Sequence, residues 1–225
     1  MAELLVALDH ADPADAIALL DLLPERAPVK VGAVLLARAG IGFVRGLVGE
    51  GHPVFLDPKW HDIPNTVSGA VSAAAELGVD MVTVHALGGD AMLRAAVEAA
   101  AGRTRIIAVT MLTSHSAAEF AAVTGRPRVD PEQEVARLAG IAAAAGVAGV
   151  VCSPQEIAVV RGVAAFERIV VPGIRRDGDA VGDQQRTASP AIAIAAGATH
   201  LVVGRPITSA AAPAEAYAEF VAAMG

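Results

Sequence analysis

The chain alternates short apolar runs with alanine-rich stretches along its whole length. The runs are continuously apolar rather than alternating with polar residues, which is typical of strands covered on both faces. The longer stretches between them have the composition of helices that pack on a sheet. The pattern predicts strands at residues 4–8, 29–31, 54–56, 81–84, 106–112, 147–152, 169–171 and 201–203.

Proline and glycine mark the boundaries of the predicted helices. Proline has no N–H to lose in the first turn of a helix, and glycine readily adopts the left-handed conformation that often ends one. The predicted helix starts are at Pro13, Pro64, Pro131 and Pro190. The predicted helix ends are at Gly78, Gly102, Gly146 and Gly197.

Eight strands that alternate with helices in 225 residues predict one α/β domain over residues 1–225, a (β/α)8 TIM barrel. An open doubly wound sheet is the alternative, but it usually has fewer strands, and no G-x-G-x-x-G turn follows the first run. The long polar segment 175–187 interrupts the regular pattern. A long loop on a small barrel is often an active-site lid, and we predict that role here.

Composition narrows the classes of function. With 54% hydrophobic and 18% charged residues the chain can bury a large core, and its net charge of −7 gives no electrostatic footprint for nucleic acid. The longest uncharged stretches, 138–155 and 187–204, are interrupted by Gly and Pro, so no membrane span is predicted. No signal peptide is recognised, and the single cysteine, Cys152, fits a reducing cytoplasm.

Ionisable residues cluster where the predicted strands end. In a (β/α)8 barrel the segments that follow the strands meet at one face, which carries the active site. In chain order these positions are Asp9, Lys30, Asp57 with Lys59, His85, Thr113, 172–175, and Gly204 with Arg205. Most of these side chains have no place in a hydrophobic layer, so their convergence is the first signal of function.

Segment 57–66, DPKWHDIPNT, has the densest charge of these positions. Residues two apart in a strand share a face, so Asp57 and Lys59 are expected to project together. Pro64 disfavours helical geometry at the preceding residue, which leaves Asp62 in the connecting loop. Nearby carboxylates favour the charged form of a lysine, which can then donate a proton or stabilise a carbanion. A simple salt bridge at the barrel rim is the alternative.

A phosphate site is predicted after strands seven and eight, where barrels commonly bind phosphate with backbone N–H groups and helix N-termini. The two loops begin with the sequences PGIR, at 172–175, and GRP, at 204–206. Glycine allows close approach of the backbone, and arginine can pair with phosphate through two N–H groups. Two ordinary turns with solvated arginines are the alternative.

Segment 57–66 matches the pattern D-x-K-x-x-D-I-P-N-T, and in this the chain resembles the orotidine 5′-phosphate decarboxylase family, which catalyses the final step of UMP synthesis. The resemblance extends in the same order along nearly the whole chain. It includes ALD at 7–9, VKVG at 29–32, VHA at 84–86, TMLTS at 110–114, PGIR at 172–175, GDQ at 182–184 and VGRP at 203–206.

The resemblance implies a decarboxylase that uses neither a cofactor nor a metal. It implies that Lys59 donates a proton to C6 of the pyrimidine and that Asp57 lies beside the substrate's own carboxylate. Asp62 would complete the charged array from the partner subunit of a homodimer. Asp9 and Lys30 would bind the ribose hydroxyls, with Lys30 also joining the array.

Further substrate contacts follow from the same resemblance. Thr113, in preference to Ser114, would touch the pyrimidine, and Thr66 would reach the ribose across the dimer interface. Gln184, on the predicted lid, would bind phosphate. The other implied phosphate ligands are Arg175, Gly204 and Arg205, and Ile63 and Pro172 complete the substrate-binding set.

Three other functions use similar residues. A magnesium-dependent sugar-phosphate lyase or decarboxylase would carry an acidic ligand where this chain has Lys30, and would lack the I-P-N-T continuation. An aldolase that forms a Schiff base on Lys59 or Lys30 needs a neutral amine rather than one held by carboxylates. A nucleotide-phosphate sensor without turnover would not need an intact charged array.

Overall fold

The computed structural model describes residues 2–176, 179 and 186–225. Within them eight parallel strands follow the order of the chain around a closed barrel, with the last strand paired to the first. The strands are β1 (Glu3–Leu8), β2 (Val29–Gly32), β3 (Val54–Trp60), β4 (Met81–His85), β5 (Arg105–Val109), β6 (Gly149–Val151), β7 (Arg168–Val171) and β8 (His200–Val203). The predicted (β/α)8 barrel is therefore confirmed.

Helices follow the strands and cover the outside of the barrel. They are α1 (Pro13–Leu20), α2 (Ala33–Gly49), α3 (Pro64–Leu77), α4 (Gly89–Ala100), α5 (Ala117–Val123), α6 (Pro131–Ala144), α7 (Ile157–Val163), α8 (Pro190–Ala196), α9 (Arg205–Thr208) and α10 (Pro213–Ala222), with short 3₁₀ turns at Ala86–Gly88 and Pro154–Glu156. No helix in the described ranges is both long and apolar enough to cross a membrane.

The four predicted helix starts are confirmed, because α1, α3, α6 and α8 each begin at the expected proline. Asp12 caps α1 by accepting a hydrogen bond of 2.9 Å from the backbone N–H of Ala14. At the other ends, Gly78 and Gly197 cap α3 and α8 with φ of 84° and 109°. Such angles favour glycine because it has no Cβ.

Three strands differ from their predictions by more than one residue at an end, and the other five by one residue. β3 runs to Trp60, four residues past the predicted end, and its register with β4 shifts between Leu56 and Trp60. β5 ends at Val109, three residues early, where the Thr110 hydroxyl donates to the carbonyl of Val151 at 2.9 Å. The backbone N–H of Thr110 donates to the same carbonyl at 3.4 Å, so the side chain shares this acceptor with the backbone, which an apolar pattern does not reveal. β6 spans only Gly149–Val151 rather than 147–152.

The apolar core has two parts. The larger part lies between the strands and the helices, and the smaller one fills the barrel interior. The interior cluster contains Leu5, Phe55, Met81, Ile107 and Val170, each at most 2% exposed. Fully burying a side chain of this size stabilises the fold by about 1.5–3 kcal/mol. This cluster closes the lower barrel and forms a rigid base for the polar groups above it.

Candidate active site

A cavity of about 730 Å³ opens where the strands end at their carboxyl termini. Its floor is apolar and is contributed by β3 and by the four strands from β5 to β8, with Phe55, Val109, Val151, Val170 and Val202 facing it. Polar side chains line the walls. This is the face where (β/α)8 barrels carry their active sites.

One wall of the cavity carries a charged array of two lysines and two aspartates. Lys59 Nζ lies 2.7 Å from Asp57 Oδ2, and Lys30 Nζ lies 4.0 Å from the same oxygen. Lys30 Nζ also lies 2.7 Å from Asp9 Oδ1. The side chains of Lys30 and Asp57 are each only 10% exposed. Two cations therefore converge on one poorly hydrated carboxylate, an arrangement that is unusual for a structural salt bridge.

The end of β3 is not a regular strand where it carries Asp57 and Lys59. Lys59 has a φ of 53°, in the left-handed region that a residue with a Cβ seldom adopts. Its N–H donates at 2.8 Å to the hydroxyl of Thr83, a side chain on β4. The predicted meeting of the Asp57 and Lys59 side chains is confirmed. The regular two-residue spacing used to predict it is wrong, because a bulge lies between them.

Gly32, at the end of β2, lies directly under the pair formed by Asp9 and Lys30. A Cβ at this position would lie 2.7 Å from Asp9 Oδ1 and 3.0 Å from Lys30 Nζ. Such distances are too short for any side chain unless the ion pair moves. The glycine of the VKVG sequence is therefore needed by the charged array.

The opposite wall is built from the segments after β7 and β8. Pro172, Arg175, Gly204 and Arg205 all line the cavity. Ala188 pairs with the first of these segments, since its carbonyl accepts the N–H of Arg175 at 3.0 Å. This hydrogen bond holds the turn of the PGIR sequence in place. The wall therefore combines arginine side chains with turn backbone, the groups that bind anions.

The third wall contains Thr113 and Ser114, which follow β5. Arg186 holds this region by donating to the carbonyl of Leu112 at 3.3 Å. Its guanidinium also pairs with Glu156, whose side chain is 2% exposed. Arg186 therefore links the end of segment 175–187 to the residues beside Thr113.

Three predicted site residues lie outside the cavity. Asp62, Ile63 and Thr66 are exposed at the start of α3, and none of them is among the residues that line the cavity. Asp62 Oδ1 accepts a 2.6 Å hydrogen bond from the N–H of Ile63, and Asp62 forms no ion pair with the described residues. Gln184, predicted to bind phosphate, lies outside the described residues.

Two histidines lie near Lys59 without lining the cavity. His85 stacks on His61 with their ring centroids 5.6 Å apart, and its Nδ1 accepts a 3.3 Å hydrogen bond from the N–H of Leu87. Burial lowers the pKa of His85 to about 4, and the nearby positive charges of His61, Lys59 and His115 add to the effect. His85 is therefore neutral near pH 7.

Other reactive groups contribute little to this site. Cys152 is fully buried, and burial raises the pKa of its thiol far above the usual range, so the thiol is inert. Among the described residues no cluster of three or more His, Cys, Asp and Glu side chains is placed to hold a metal ion.

Sequence reasoning missed several residues around the cavity. The buried Thr83 is the polar residue within the apolar run 81–84, and that exception is a signal that could have found it. His10, Thr208 and Ser209 line the cavity with no distinguishing pattern in the sequence. The steric role of Gly32 depends on the side chains of Asp9, which is distant in the sequence, and Lys30, so the VKVG sequence alone does not reveal it.

Comparisons with known proteins agree with this geometry. The family model described as "Orotidine 5'-phosphate decarboxylase / HUMPS family" matches residues 2–220. The chain is 55% identical to the orotidine 5′-phosphate decarboxylase of Halorhodospira halophila, over 97% of this chain and 94% of that protein. It is 51% identical to the protein of the same name from Alkalilimnicola ehrlichii, over 96% of this chain and 93% of that protein.

A solved structure shows the same relationship. The crystal structure of orotidine 5′-phosphate decarboxylase from Lactobacillus acidophilus superposes with a TM-score of 0.89 and 34% identity, covering 100% of both chains. The family model covers nearly the whole chain, and the relatives are similar over nearly their full length. The chain therefore belongs to the orotidine 5′-phosphate decarboxylase family.

Proposed function

We propose that this chain decarboxylates orotidine 5′-phosphate to UMP and CO2, the last step of de novo UMP synthesis. The observation that carries the proposal is the convergence of Lys59 and Lys30 on Asp57, 2.7 and 4.0 Å from one carboxylate oxygen. The array borders a cavity of about 730 Å³ whose opposite wall carries Arg175 and Arg205. A nucleotide with an anionic carboxylate at one end and a phosphate at the other matches both walls.

The proposed binding mode follows from the three walls. Arg175, Gly204 and Arg205 bind the phosphate, with Pro172 packing beside them. Asp9 and Lys30 bind the ribose hydroxyls. The pyrimidine then lies between Thr113 and the charged array, with C6 facing Lys59. Phosphate contacts far from C6 contribute binding energy that holds the reacting atoms in place.

The chemistry needs a fixed cation at C6. When the bond between C6 and the carboxylate breaks, its electron pair stays on C6 in the plane of the ring, where the π system cannot delocalise it. The ammonium of Lys59 stabilises this pair by its charge and then transfers a proton to C6. CO2 leaves, and the neutral lysine regains its proton from water.

Asp57 has two proposed roles in this step. It holds the Lys59 ammonium at 2.7 Å, and it lies where the substrate carboxylate would approach. Lys30 offsets the negative charge that these two carboxylates bring together. The cations that hold Asp57 also argue against a magnesium-dependent sugar-phosphate enzyme, since two ammonium groups would repel a divalent ion at this carboxylate.

We also propose that two copies of the chain form a homodimer with shared active sites. All six residues from 61 to 66 are exposed, and Ile63 is 65% exposed although it is apolar. An exposed apolar side chain beside charged residues is typical of an interface. In the dimer, Asp62 of one protomer would approach Lys59 of the other, while Ile63 and Thr66 would contact the second protomer's substrate.

We propose the cytoplasm as the location of the enzyme. The support is the single cysteine, Cys152, which is buried and has no second cysteine in the chain to pair with, a composition that fits a reducing compartment. The substrate is a free nucleotide.

The activity is tested by following the ultraviolet absorbance of orotidine 5′-phosphate with catalytic amounts of chelator-treated protein. Conversion to UMP in the presence of chelator is the expected result. If the folded protein converts the substrate only after magnesium is added, the metal-dependent alternative is correct. If borohydride traps a carbonyl substrate on the chain, the Schiff-base alternative is correct. UMP binding without any turnover would identify a sensor.

The shared site is tested by subunit exchange between two inactive variants, Lys59→Ala and Asp62→Ala. A mixed dimer would contain one site with both residues intact and one site that lacks both. We therefore expect mixing to restore activity, up to about one quarter of the wild-type value per total site at full statistical exchange. Absence of recovery after exchange has been verified by mass spectrometry would contradict the shared site.

A further inference from the structure

Thr83 is a fully buried polar residue on β4, and its side chain contacts both Asp57 and Lys59. Its hydroxyl accepts the N–H of Lys59 at 2.8 Å and donates to Asp57 Oδ1 at 2.9 Å. The direction of both hydrogen bonds is fixed by chemistry. A backbone N–H can only donate and a carboxylate can only accept, so the single hydroxyl hydrogen must point to Asp57.

The bond to Oδ1 sets the rotation of the Asp57 carboxylate. With Oδ1 held by Thr83, Oδ2 faces both Lys59, at 2.7 Å, and Lys30, at 4.0 Å. A carboxylate with only one oxygen held can rotate about its last bond, and both lysine contacts would then change together. The hydroxyl therefore fixes which oxygen the two cations share.

The bond from Lys59 has a different role. At the bulge in β3, Lys59 has a φ of 53°, and the register between β3 and β4 shifts there. A partly buried N–H that leaves the regular ladder needs another acceptor, and the Thr83 hydroxyl is that acceptor. The same oxygen thus stabilises the backbone conformation from which the Lys59 side chain enters the cavity.

We propose that Thr83 is a positioning residue that fixes the carboxylate of Asp57 relative to the ammonium of Lys59, and that it acts on the chemical step. The inference rests on the proposed decarboxylation. Thr83 does not line the cavity, so it has no place in substrate binding. Arg205 and Thr113, which line the other two walls, follow β8 and β5, whereas Thr83 lies on β4. Loss of the hydroxyl should therefore lower kcat and leave KM nearly unchanged.

The decisive comparison is Thr83→Ser with Thr83→Ala, because both lose the methyl group and differ only in the hydroxyl. Thr83→Ser should keep kcat close to wild type, whereas Thr83→Ala should lower it by about 10- to 100-fold, the range for groups that orient a functional ligand. Thr83→Val, with the original shape, should resemble Thr83→Ala. The matched control is Thr104→Val, which removes a buried hydroxyl from the residue just before β5, away from the cavity.

A second measurement keeps the test independent of turnover. Hydrogen exchange of the Lys59 amide, followed by NMR, should be faster in Thr83→Ala than in Thr83→Ser, because only serine retains the acceptor. Equal kcat and equal Lys59 exchange in these two variants would overturn the proposal. If the wild-type protein has no decarboxylase activity, the proposed function fails, and the exchange measurement alone decides whether Thr83 holds the bulge.

Discussion

Ion pairs lie at both ends of the barrel, and the two groups differ in how far water reaches them. At the amino end, where the strands begin, His200 lies 3.2 Å from Glu3, and Arg105 lies 3.1 Å from Asp80 and 3.7 Å from Glu167. These carboxylate side chains are 42%, 30% and 53% exposed. Ion pairs with that much hydration contribute at most about 1 kcal/mol each to stability.

At the carboxyl end the charges are less hydrated than at the amino end. Asp57 is 10% exposed, it has two lysines near one oxygen, and it borders the large cavity. Removing these charges from water raises the free energy of the folded state, and the attraction between the lysines and Asp57 offsets that cost only in part. The comparison teaches that the number of ion pairs does not identify a site. A site is identified instead by several poorly hydrated charges that converge beside a large cavity.

The largest expected effect is on turnover in Lys59→Ala. This substitution removes both the stabilising cation and the proton donor, so kcat should fall by at least about 10³-fold. UMP should still bind, because the phosphate wall is unchanged. Arg105→Ala, at the amino end, is the control and should leave kcat unchanged. Turnover near the wild-type rate in Lys59→Ala, measured by substrate absorbance, would contradict the mechanism.

Arg205→Ala is expected to have the next largest effect, and to act on binding. A hydrogen bond to a charged group contributes about 1.5–3 kcal/mol, so KM for orotidine 5′-phosphate should rise about 10- to 100-fold. The nucleoside orotidine, which has no phosphate, should be processed equally slowly by the variant and the wild type. An equal loss with both substrates would show that Arg205 does not act through phosphate.

Gly32→Ala should have a moderate effect on both activity and stability. The new Cβ would lie 2.7 Å from Asp9 Oδ1, so the ion pair with Lys30 must move, at a cost of about 1–3 kcal/mol. We expect kcat/KM and the midpoint of thermal unfolding to fall together. The control is Gly46→Ala, on an exposed part of α2 with no atom within 4 Å of the new Cβ, which should stabilise the helix slightly. Identical behaviour of the two variants would exclude the steric role of Gly32.

The smallest effect is expected at the amino end, on the pH dependence of stability. The hydrogen bond and positive charge of His200 hold the pKa of Glu3 below its ordinary value of 4.5. A lowered pKa in the folded state stabilises the protein above about pH 4.5, and this contribution is lost as the pH falls through the folded value. Glu3→Gln should remove less than about 1 kcal/mol of acid-dependent stability, measured by urea unfolding, because Glu3 is half-exposed. Turnover should not change. A fall in kcat would show that ion pairs at the amino end of the barrel also affect catalysis.

Local patterns predicted the framework of the fold. Pro64 and Gly78, which bound α3, act through the backbone of their own segment, so sequence is enough to place them. The contact between Asp57 and Lys59 was predicted as well. The backbone geometry that produces this contact was not predicted, because the left-handed conformation of Lys59 depends on a hydroxyl from the neighbouring strand.

The features that the sequence did not predict have one cause. Each depends on a residue that is distant in the chain or that belongs to a second copy of it. The need for Gly32 arises only when Asp9 and Lys30 approach each other above it. Asp62 was expected to complete the charged array from a partner subunit, and within its own chain it is exposed at the start of α3. Its predicted role requires a second protomer, which no pattern within one chain can position.

The apolar floor of the cavity has a consequence for the response of the enzyme to salt. Mobile ions screen charges over about 8 Å at physiological ionic strength, but only where they can approach. Phe55, Val109 and Val170 keep them from the lower side of Asp57 and Lys30, which are themselves only 10% exposed. Added salt should therefore slow the capture of the charged nucleotide from solution while leaving the field at the reacting carbon almost unchanged.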